Sequence, residues 1–142
     1  MIKENELRIG NFIGSIQSSL IHCVDLDMFC DIKEDETYLD HLKPIPLTEE
    51  WLIKMGFEKS QEQWYTIKYF TDCELATEQM AISYNLSSNR CAVFDAIEET
   101  DIVNILSYPI YTSKKVLYVH TLQNVFFALT GEELKLDHDE VR

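Results

Sequence analysis

The sequence has few basic residues and few glycines. Lysine and arginine total 12 against 25 aspartates and glutamates, which gives a net charge of −13, and only Lys114 and Lys115 are adjacent. A surface this acidic repels phosphate groups, so we expect no direct binding to nucleic acid. The four glycines are too dispersed to form a glycine-rich loop around a phosphate. The composition therefore argues against two large functional classes.

Long apolar runs are also missing. No segment approaches the length of a membrane span, and the first eight residues carry acids without the apolar stretch of a signal peptide. We therefore expect a cytoplasmic protein that does not enter a membrane. In that compartment the four cysteines stay reduced; they are Cys23, Cys30, Cys73 and Cys91.

The residues that are present are typical of a globular protein. A chain of 142 residues with 46% hydrophobic content can bury a core without metals or disulfides. We find no repeat and no linker, so we expect one domain over residues 1–142. The alternative is a boundary near Pro44 and Pro46, which would separate a β-rich subdomain (1–43) from an α+β subdomain (44–142).

The clearest alternation of apolar and polar residues covers positions 24–33 and predicts a half-buried antiparallel strand. The even-numbered, apolar positions would face the core, while Asp25, Asp27 and Asp31 would face solvent. Weaker patterns predict a strand over residues 7–14, with a turn or bulge at Gly10 and Asn11. They also predict strands over 63–70, 80–86, 91–94 and 114–119, with a polar connection over 71–77. Residues 98–107 fit either a short helix or an edge strand.

Two segments predict helices. Thr48 is a suitable N-cap for a short helix that ends at Gly56. Near the C-terminus, apolar residues at i, i+3, i+4 and i+7 predict an amphipathic helix after an N-cap at Thr121, with Gly131 at its end. The predicted core comprises Ile9, Leu26, Met28, Leu52, Met55, Ile82, Tyr84, Val93, Leu122, Val125, Phe126 and Leu129.

These elements predict an α+β fold. It consists of an antiparallel sheet with a curled N-terminal β-subdomain, one short central helix and a C-terminal helix packed on the sheet. The strand at residues 64–70 is apolar on both faces, so one face must be covered by the C-terminal helix or by a second copy of the chain. A homodimer is therefore an open alternative.

Three segments carry a family resemblance: residues 7–13 (LRIGNFI), 44–57 (PIPLTEEWLIKMGF) and 118–134 (YVHTLQNVFFALTGEEL). In this order they resemble a family of small proteins carried by phages and mobile elements of Bacteroides and related bacteria. The three segments span the chain from end to end but leave its middle uncovered. The resemblance implies a bacterial or phage-encoded cytoplasmic protein, and it transfers no activity, cofactor or catalytic residue.

Two metal sites deserve consideration. His22, Cys23, Cys30 and His41 have the ligand types of a zinc site, but they lack the close cysteine pairs of known zinc modules. We favour a structural interpretation, with Cys30 on the apolar face of its strand. Asp25, Asp27 and Asp31, with Glu34, Asp35 and Glu36 beyond them, could bind a hard cation. The segment lacks the glycine of a calcium loop, so we predict no metal and no cofactor.

A polar group in the C-terminal helix is the candidate for catalysis. His120 is expected just before the helix cap, where a positioned histidine could act as a general base. Gln123 and Asn124 follow in the same helix; they either lie on an exposed face or hydrogen-bond a neighbouring loop. No nucleophile motif accompanies them.

Acidic residues cluster in three stretches, at residues 25–40, 95–101 and 132–140. Complementary charge steers association between proteins, so an acidic surface can serve a basic partner. Our leading hypothesis is a non-enzymatic accessory protein that binds a protein partner through Asp25, Asp27, Asp31, Glu34, Asp35 and Glu36. The alternative is a small hydrolase or metal-dependent enzyme that uses His120 or the Asp25, Asp27 and Asp31 face.

Overall fold

A computed structural model describes residues 2–73, 76–95 and 111–134. It confirms the α+β class, with two antiparallel sheets and three α-helices among these residues, the last of them near the C-terminus. The chain forms two compact units. Unit 1 comprises Met1–Leu47 and Leu117–Arg142, and unit 2 comprises Thr48–Val116.

Unit 1 contains a three-stranded sheet in the order β2-β1-β3, formed by β1 (Phe12–Ser15), β2 (Ile21–Cys23) and β3 (Leu42–Lys43). Its helices are α1 (Leu26–Glu34) and α3 (Val119–Thr130), and short 3-10 turns cover Glu4–Glu6 and Tyr38–His41. A curled β-subdomain over residues 1–43 is not confirmed. These residues include α1 and share their unit with α3.

The N-terminal strand begins later than predicted. Gly10 has a φ of +96°, so the predicted turn at Gly10 and Asn11 is present, but residues 7–9 are not part of the strand. Ile9 is 52% exposed, and its assignment to the core is wrong. The apolar core of this part of unit 1 instead includes Ile2, Leu7, Ile13, Val24, Ile32 and Leu42.

The predicted strand over residues 24–33 is wrong, because Leu26–Glu34 forms the helix α1. Asp25 caps this helix by accepting a hydrogen bond from the Met28 N–H at 2.8 Å. Met28 and Ile32 are four residues apart and lie on one face of α1, which packs in the same apolar cluster as Val24 before the cap, so alternate apolar positions of the predicted strand also fit a helix. The cap decides between the two periods.

The change from strand to helix alters the exposure of two side chains that were expected to be buried. Leu26, predicted in the core, is 66% exposed, and Cys30 is exposed as well. Both lie on the side of α1 opposite the buried residue Ile32. Met28 and Phe29 are partly buried beside that residue.

The helix α3 begins three residues before the predicted position. Tyr118 occupies its N-cap without a side-chain hydrogen bond, so the predicted cap at Thr121 is wrong. The backbone before the helix pairs with an earlier segment: Val119 N–H donates to Ile45 O at 2.9 Å, and Leu47 N–H donates to Leu117 O at 3.0 Å. This pairing fixes the start of α3. The predicted end is confirmed, with Gly131 in the left-handed conformation.

Unit 2 is a five-stranded antiparallel sheet preceded by α2 (Glu49–Lys54). Its strands run in the order β4-β5-β6-β7-β8 and comprise β4 (Glu58–Gln61), β5 (Trp64–Cys73), β6 (Ala76–Asn85), β7 (Arg90–Asp95) and β8 (Tyr111–Lys115). The predicted cap of α2 is confirmed, since Thr48 Oγ1 accepts from the Trp51 N–H at 3.3 Å. The predicted connection over 71–77 is wrong, because β5 continues to Cys73 and β6 begins at Ala76.

The strand β5 is covered on both faces where its side chains are described. Tyr65 and Thr66 point to opposite faces, and each is 2% exposed. The Tyr65 hydroxyl bonds to the Glu49 carboxylate of α2, and burial together with this carboxylate raises the pKa of Tyr65. The Thr66 hydroxyl lies 2.7 Å from the Ser83 hydroxyl on β6. The undecided segment 98–107 and the C-terminal tail from residue 135 lie outside the described residues.

Candidate functional site

The acidic residues of α1 form one exposed stripe. Asp27, Asp31 and Glu34 are spaced by four and three residues, so they lie on the same helical face rather than on the strand face that the sequence suggested. All three are exposed. None of them makes an ion pair with a residue that the structure describes. The stripe therefore presents three carboxylates directly to solvent.

The other predicted binding residues have structural roles or flank the stripe. Asp25 is the N-cap of α1, and its carboxylate is engaged by the backbone. Asp35 accepts hydrogen bonds from the Thr37 hydroxyl at 2.7 Å and from the Thr37 N–H at 2.9 Å. These bonds, the hydroxyl first, lower the pKa of Asp35. Glu36 is exposed in the turn that follows.

Beside the acidic stripe, α1 also exposes one apolar side chain and one thiol. Leu26 and Cys30 are one turn apart on the exposed side of α1, next to Asp27 and Glu34. Lys33, the basic residue of this helix, pairs with Glu4 at 3.2 Å. A partner that contacts α1 thus meets carboxylates and one exposed leucine on the same surface.

The other two acidic stretches, at residues 95–101 and 132–140, lie mostly outside the described residues. In the described part of the second stretch, Glu132 is exposed, while Glu133 forms an ion pair with Arg8. The Glu133 carboxylate is therefore already engaged in an ion pair within unit 1.

The proposed metal ligands are separated. His22 and Cys23 lie on β2, Cys30 lies on α1, and His41 lies in the second 3-10 turn. Cys23 and Cys30 are both exposed, so the burial predicted for Cys30 is wrong. In the described ranges, no three histidine, cysteine or acidic side chains come together in a group that could hold a metal ion.

Gln123 and Asn124 of α3 bind the backbone and side chains of the N-terminal segment. The Gln123 amide is fully buried; it accepts from the Phe12 N–H at 2.8 Å and donates to Gly10 O at 3.0 Å. Asn124 accepts from Asn11 Nδ2 at 2.9 Å and donates to Glu6 O at 2.8 Å. Of the two sequence-based interpretations, hydrogen bonding to a neighbouring loop is therefore found.

Arg8 completes this contact between the N-terminal segment and α3. Its guanidinium forms a bidentate ion pair with Glu133, and its Cζ atom lies 4.0 Å from the centre of the Phe127 ring. A Cβ atom added at Gly10 would lie 3.3 Å from the Glu133 carboxyl carbon. The close approach and the positive φ both favour glycine at this position.

His120 lies inside the first turn of α3 and not before its cap, as the sequence suggested. It is 2% exposed, and its ring stacks on Tyr118 with centroids 5.9 Å apart. Its buried Nδ1 atom has no hydrogen-bond partner in the described part of the chain. Burial lowers the pKa of His120, and the Glu6 carboxylate opposes this effect.

Sequence reasoning did not identify Arg8, Asn11 or Glu133 as members of this network. Their partners lie 113 to 125 residues away along the chain, so no local spacing could connect them. The only local signal was Asn11 directly after the turn glycine Gly10, where its side chain accepts from the Arg8 N–H at 2.7 Å.

Comparison with protein-family models, with curated proteins and with solved structures found no match to this chain. Among the helices described, none has the length and apolar character that crossing a bilayer requires.

Proposed function

We propose that this protein is a non-enzymatic accessory protein that binds a basic protein partner through the exposed face of α1. The observation that carries this proposal is the stripe of Asp27, Asp31 and Glu34 on successive turns of one helix. Because these carboxylates make no ion pair with the residues that the structure describes, they are available to a partner's lysines and arginines. The neighbouring Leu26 supplies apolar area that a charge-only contact would lack.

The resemblance to phage and mobile-element proteins of Bacteroides supplies the setting of this proposal. In that setting the protein acts in a bacterial cytoplasm, and its partner is a protein of the host or of the phage. A net charge of −13 disfavours nucleic acid as an alternative partner. A homodimer remains a separate prediction, which sedimentation equilibrium of the purified protein would test.

Affinity capture from a Bacteroides lysate, followed by mass spectrometry, tests the proposal. The binding variant combines Asp27→Asn, Asp31→Asn and Glu34→Gln. Asp25 and Asp35 stay unchanged, because they cap α1 and order the following turn. The matched control removes three exposed charges elsewhere and combines Glu58→Gln, Glu62→Gln and Glu132→Gln.

We expect one basic protein to be captured by the wild type and the control but lost with the binding variant. Its capture should also weaken between 0.05 and 0.5 M salt, by roughly tenfold or more, because exposed charges are screened. Equal capture by the two variants would remove α1 as the binding face. Circular dichroism of both variants checks that the helix content is unchanged.

The alternative function is a small hydrolase or metal-dependent enzyme that uses His120 or the Asp25, Asp27 and Asp31 face. Gln123 and Asn124 use their amides to hold residues 6–12, so neither amide is available to orient a substrate in this conformation. His120 is buried in the first turn of α3. We therefore place this alternative second.

A further inference from the structure

His120 occupies a position that is poorly suited to a positive charge. It is the second residue of α3, at the end of the helix where the backbone N–H groups and the helix dipole concentrate positive potential. Its side chain is 2% exposed, so water does not compensate a charge there. A protonated imidazole donates from both ring nitrogens, and the buried Nδ1 has no acceptor among the residues that the structure describes.

Among the described residues, one carboxylate acts on the charge of the His120 imidazole. β1 packs against α3 and contains no ionisable side chain, and neither does the paired segment Ile45–Leu47. The Glu4–Glu6 turn contributes the Glu6 carboxylate, which favours the charged imidazole. Farther along α3, Arg8 and Glu133 neutralise each other. Burial outweighs Glu6, because the net effect is a lowered pKa.

The first turn of α3 also connects to a second piece of backbone. Directly before His120, Val119 N–H donates to Ile45 O, and Leu117 O accepts from the Leu47 N–H. Pro46 and Tyr118 face each other in this antiparallel pair, and the Tyr118 ring stacks on His120 at an interplanar angle of 9°. Movement of the imidazole would therefore disturb both the helix start and this pair.

We propose that His120 is an acid-sensitive latch: the neutral imidazole holds the first turn of α3 and the Ile45–Leu47 pairing closed, and its protonation opens them. The sign follows from proton linkage. The opened form binds the proton more tightly than the closed form, so the closed form is fully stable above about pH 6.5, the ordinary histidine pKa, and weakens below it. The device is independent of the acidic face of α1.

Hydrogen exchange of the intact protein, measured by NMR, tests the latch. The probe amides are Leu47, Val119 and Leu122, which all donate hydrogen bonds at this site. After correction for the intrinsic exchange rate, we expect the opening equilibrium constant of these amides to increase several-fold from pH 7.5 to pH 5.0. The ordinary histidine pKa limits this increase to about 30-fold. The Phe57 and Leu86 amides of unit 2 serve as internal references.

Two variants separate His120 from other titrating groups. His120→Gln carries no proton in this range and should abolish most of the increase, whereas His22→Gln should retain it. An increase that persists in His120→Gln, or its absence in the wild type, would overturn the proposal. If His120→Gln does not fold, titration of the His120 ring signals in the wild type decides. A midpoint below about 6.5 supports the latch, and a midpoint at or above that value refutes it.

Discussion

The Gln123 side chain shows how one residue can join two distant segments of a chain. Its carbonyl accepts from the Phe12 N–H while its NH2 group donates to Gly10 O, so one buried amide satisfies both a donor and an acceptor. Asn124 does the same for Asn11 and Glu6 at the next position of α3. The two amides thereby fix the path of the chain into β1.

Replacement of Gln123 by leucine should lower the free energy of unfolding of unit 1 by about 2 to 4 kcal/mol. The variant keeps most of the side-chain volume but removes one hydrogen-bond partner of a backbone N–H and one of a backbone carbonyl, and each loss costs about 1 to 2 kcal/mol at such a site. Urea unfolding followed by circular dichroism measures the change. Gln17→Leu, the same substitution at an exposed position, should change stability by less than about 0.5 kcal/mol. Similar losses in both variants would contradict the buried role.

The contact between Asp35 and Thr37 predicts how the turn after α1 responds to a fall in pH. The Thr37 hydroxyl and N–H lower the pKa of Asp35, so the turn after α1 is stabilised above the usual aspartate pKa and loses this support as pH falls through the lowered value. Thr37→Val removes the larger cause and should raise the pKa of Asp35 toward its usual range. Carboxyl NMR titration measures it, and Thr121→Val is the control. An unchanged Asp35 midpoint in Thr37→Val would refute the assignment.

At the scale of elements, α1 shows why alternation alone is an unsafe guide. Its apolar residues Met28 and Ile32, together with Val24 just before the cap, fit both a period of two and a helical spacing of four. Asp25 favours the helix as N-cap, Asp27 lies at its positive end, and Lys33 lies at its negative end. All three signals were readable in the sequence, and together they outweigh the alternation.

The role of Asp25 as N-cap predicts that two substitutions at this position lower stability by different amounts. Asp25→Ala removes the acceptor for the Met28 N–H and should lower stability by about 1 kcal/mol. Asp25→Asn keeps an acceptor and should lower it by less than about 0.5 kcal/mol. Thermal unfolding of both variants measures the order. If alanine and asparagine were equally harmful, charge rather than capping would be the role of Asp25.

Elements with local signals were predictable, and contacts across the sequence were not. The predicted start and end of α2, at Thr48 and Gly56, agree with the structure. The predicted strands over 80–86 and 91–94 pair as β6 and β7, joined by a turn over residues 86–89. Asp27 and Asp31 were assigned to a strand, whereas they lie on the helix α1. The network of Arg8, Gln123 and Glu133 depends on long-range packing that no short pattern encodes, and so does the burial of His120.

At the scale of the molecule, the two compact units differ in their connectivity. Unit 2 is one continuous stretch, whereas unit 1 combines the N-terminal 47 residues with the segment from Leu117 onward. The amides of Gln123 and Asn124, the Arg8–Glu133 pair and the Ile45–Leu47 pairing hold these two parts of unit 1 together. Loss of any one of these contacts should therefore destabilise both parts of unit 1.

Hydrogen exchange of Gln123→Leu tests this connectivity. We expect exchange to rise by a similar factor in residues 7–24 and 119–131, because neither part of unit 1 packs properly without the other. The expected loss of 2 to 4 kcal/mol corresponds to a rise of about 30- to 1,000-fold where exchange follows the opening of the unit. The β5–β7 hairpins of unit 2 should change much less, and Gln17→Leu should leave all regions near wild type. An equal rise in every region would instead show one cooperative domain over residues 1–142.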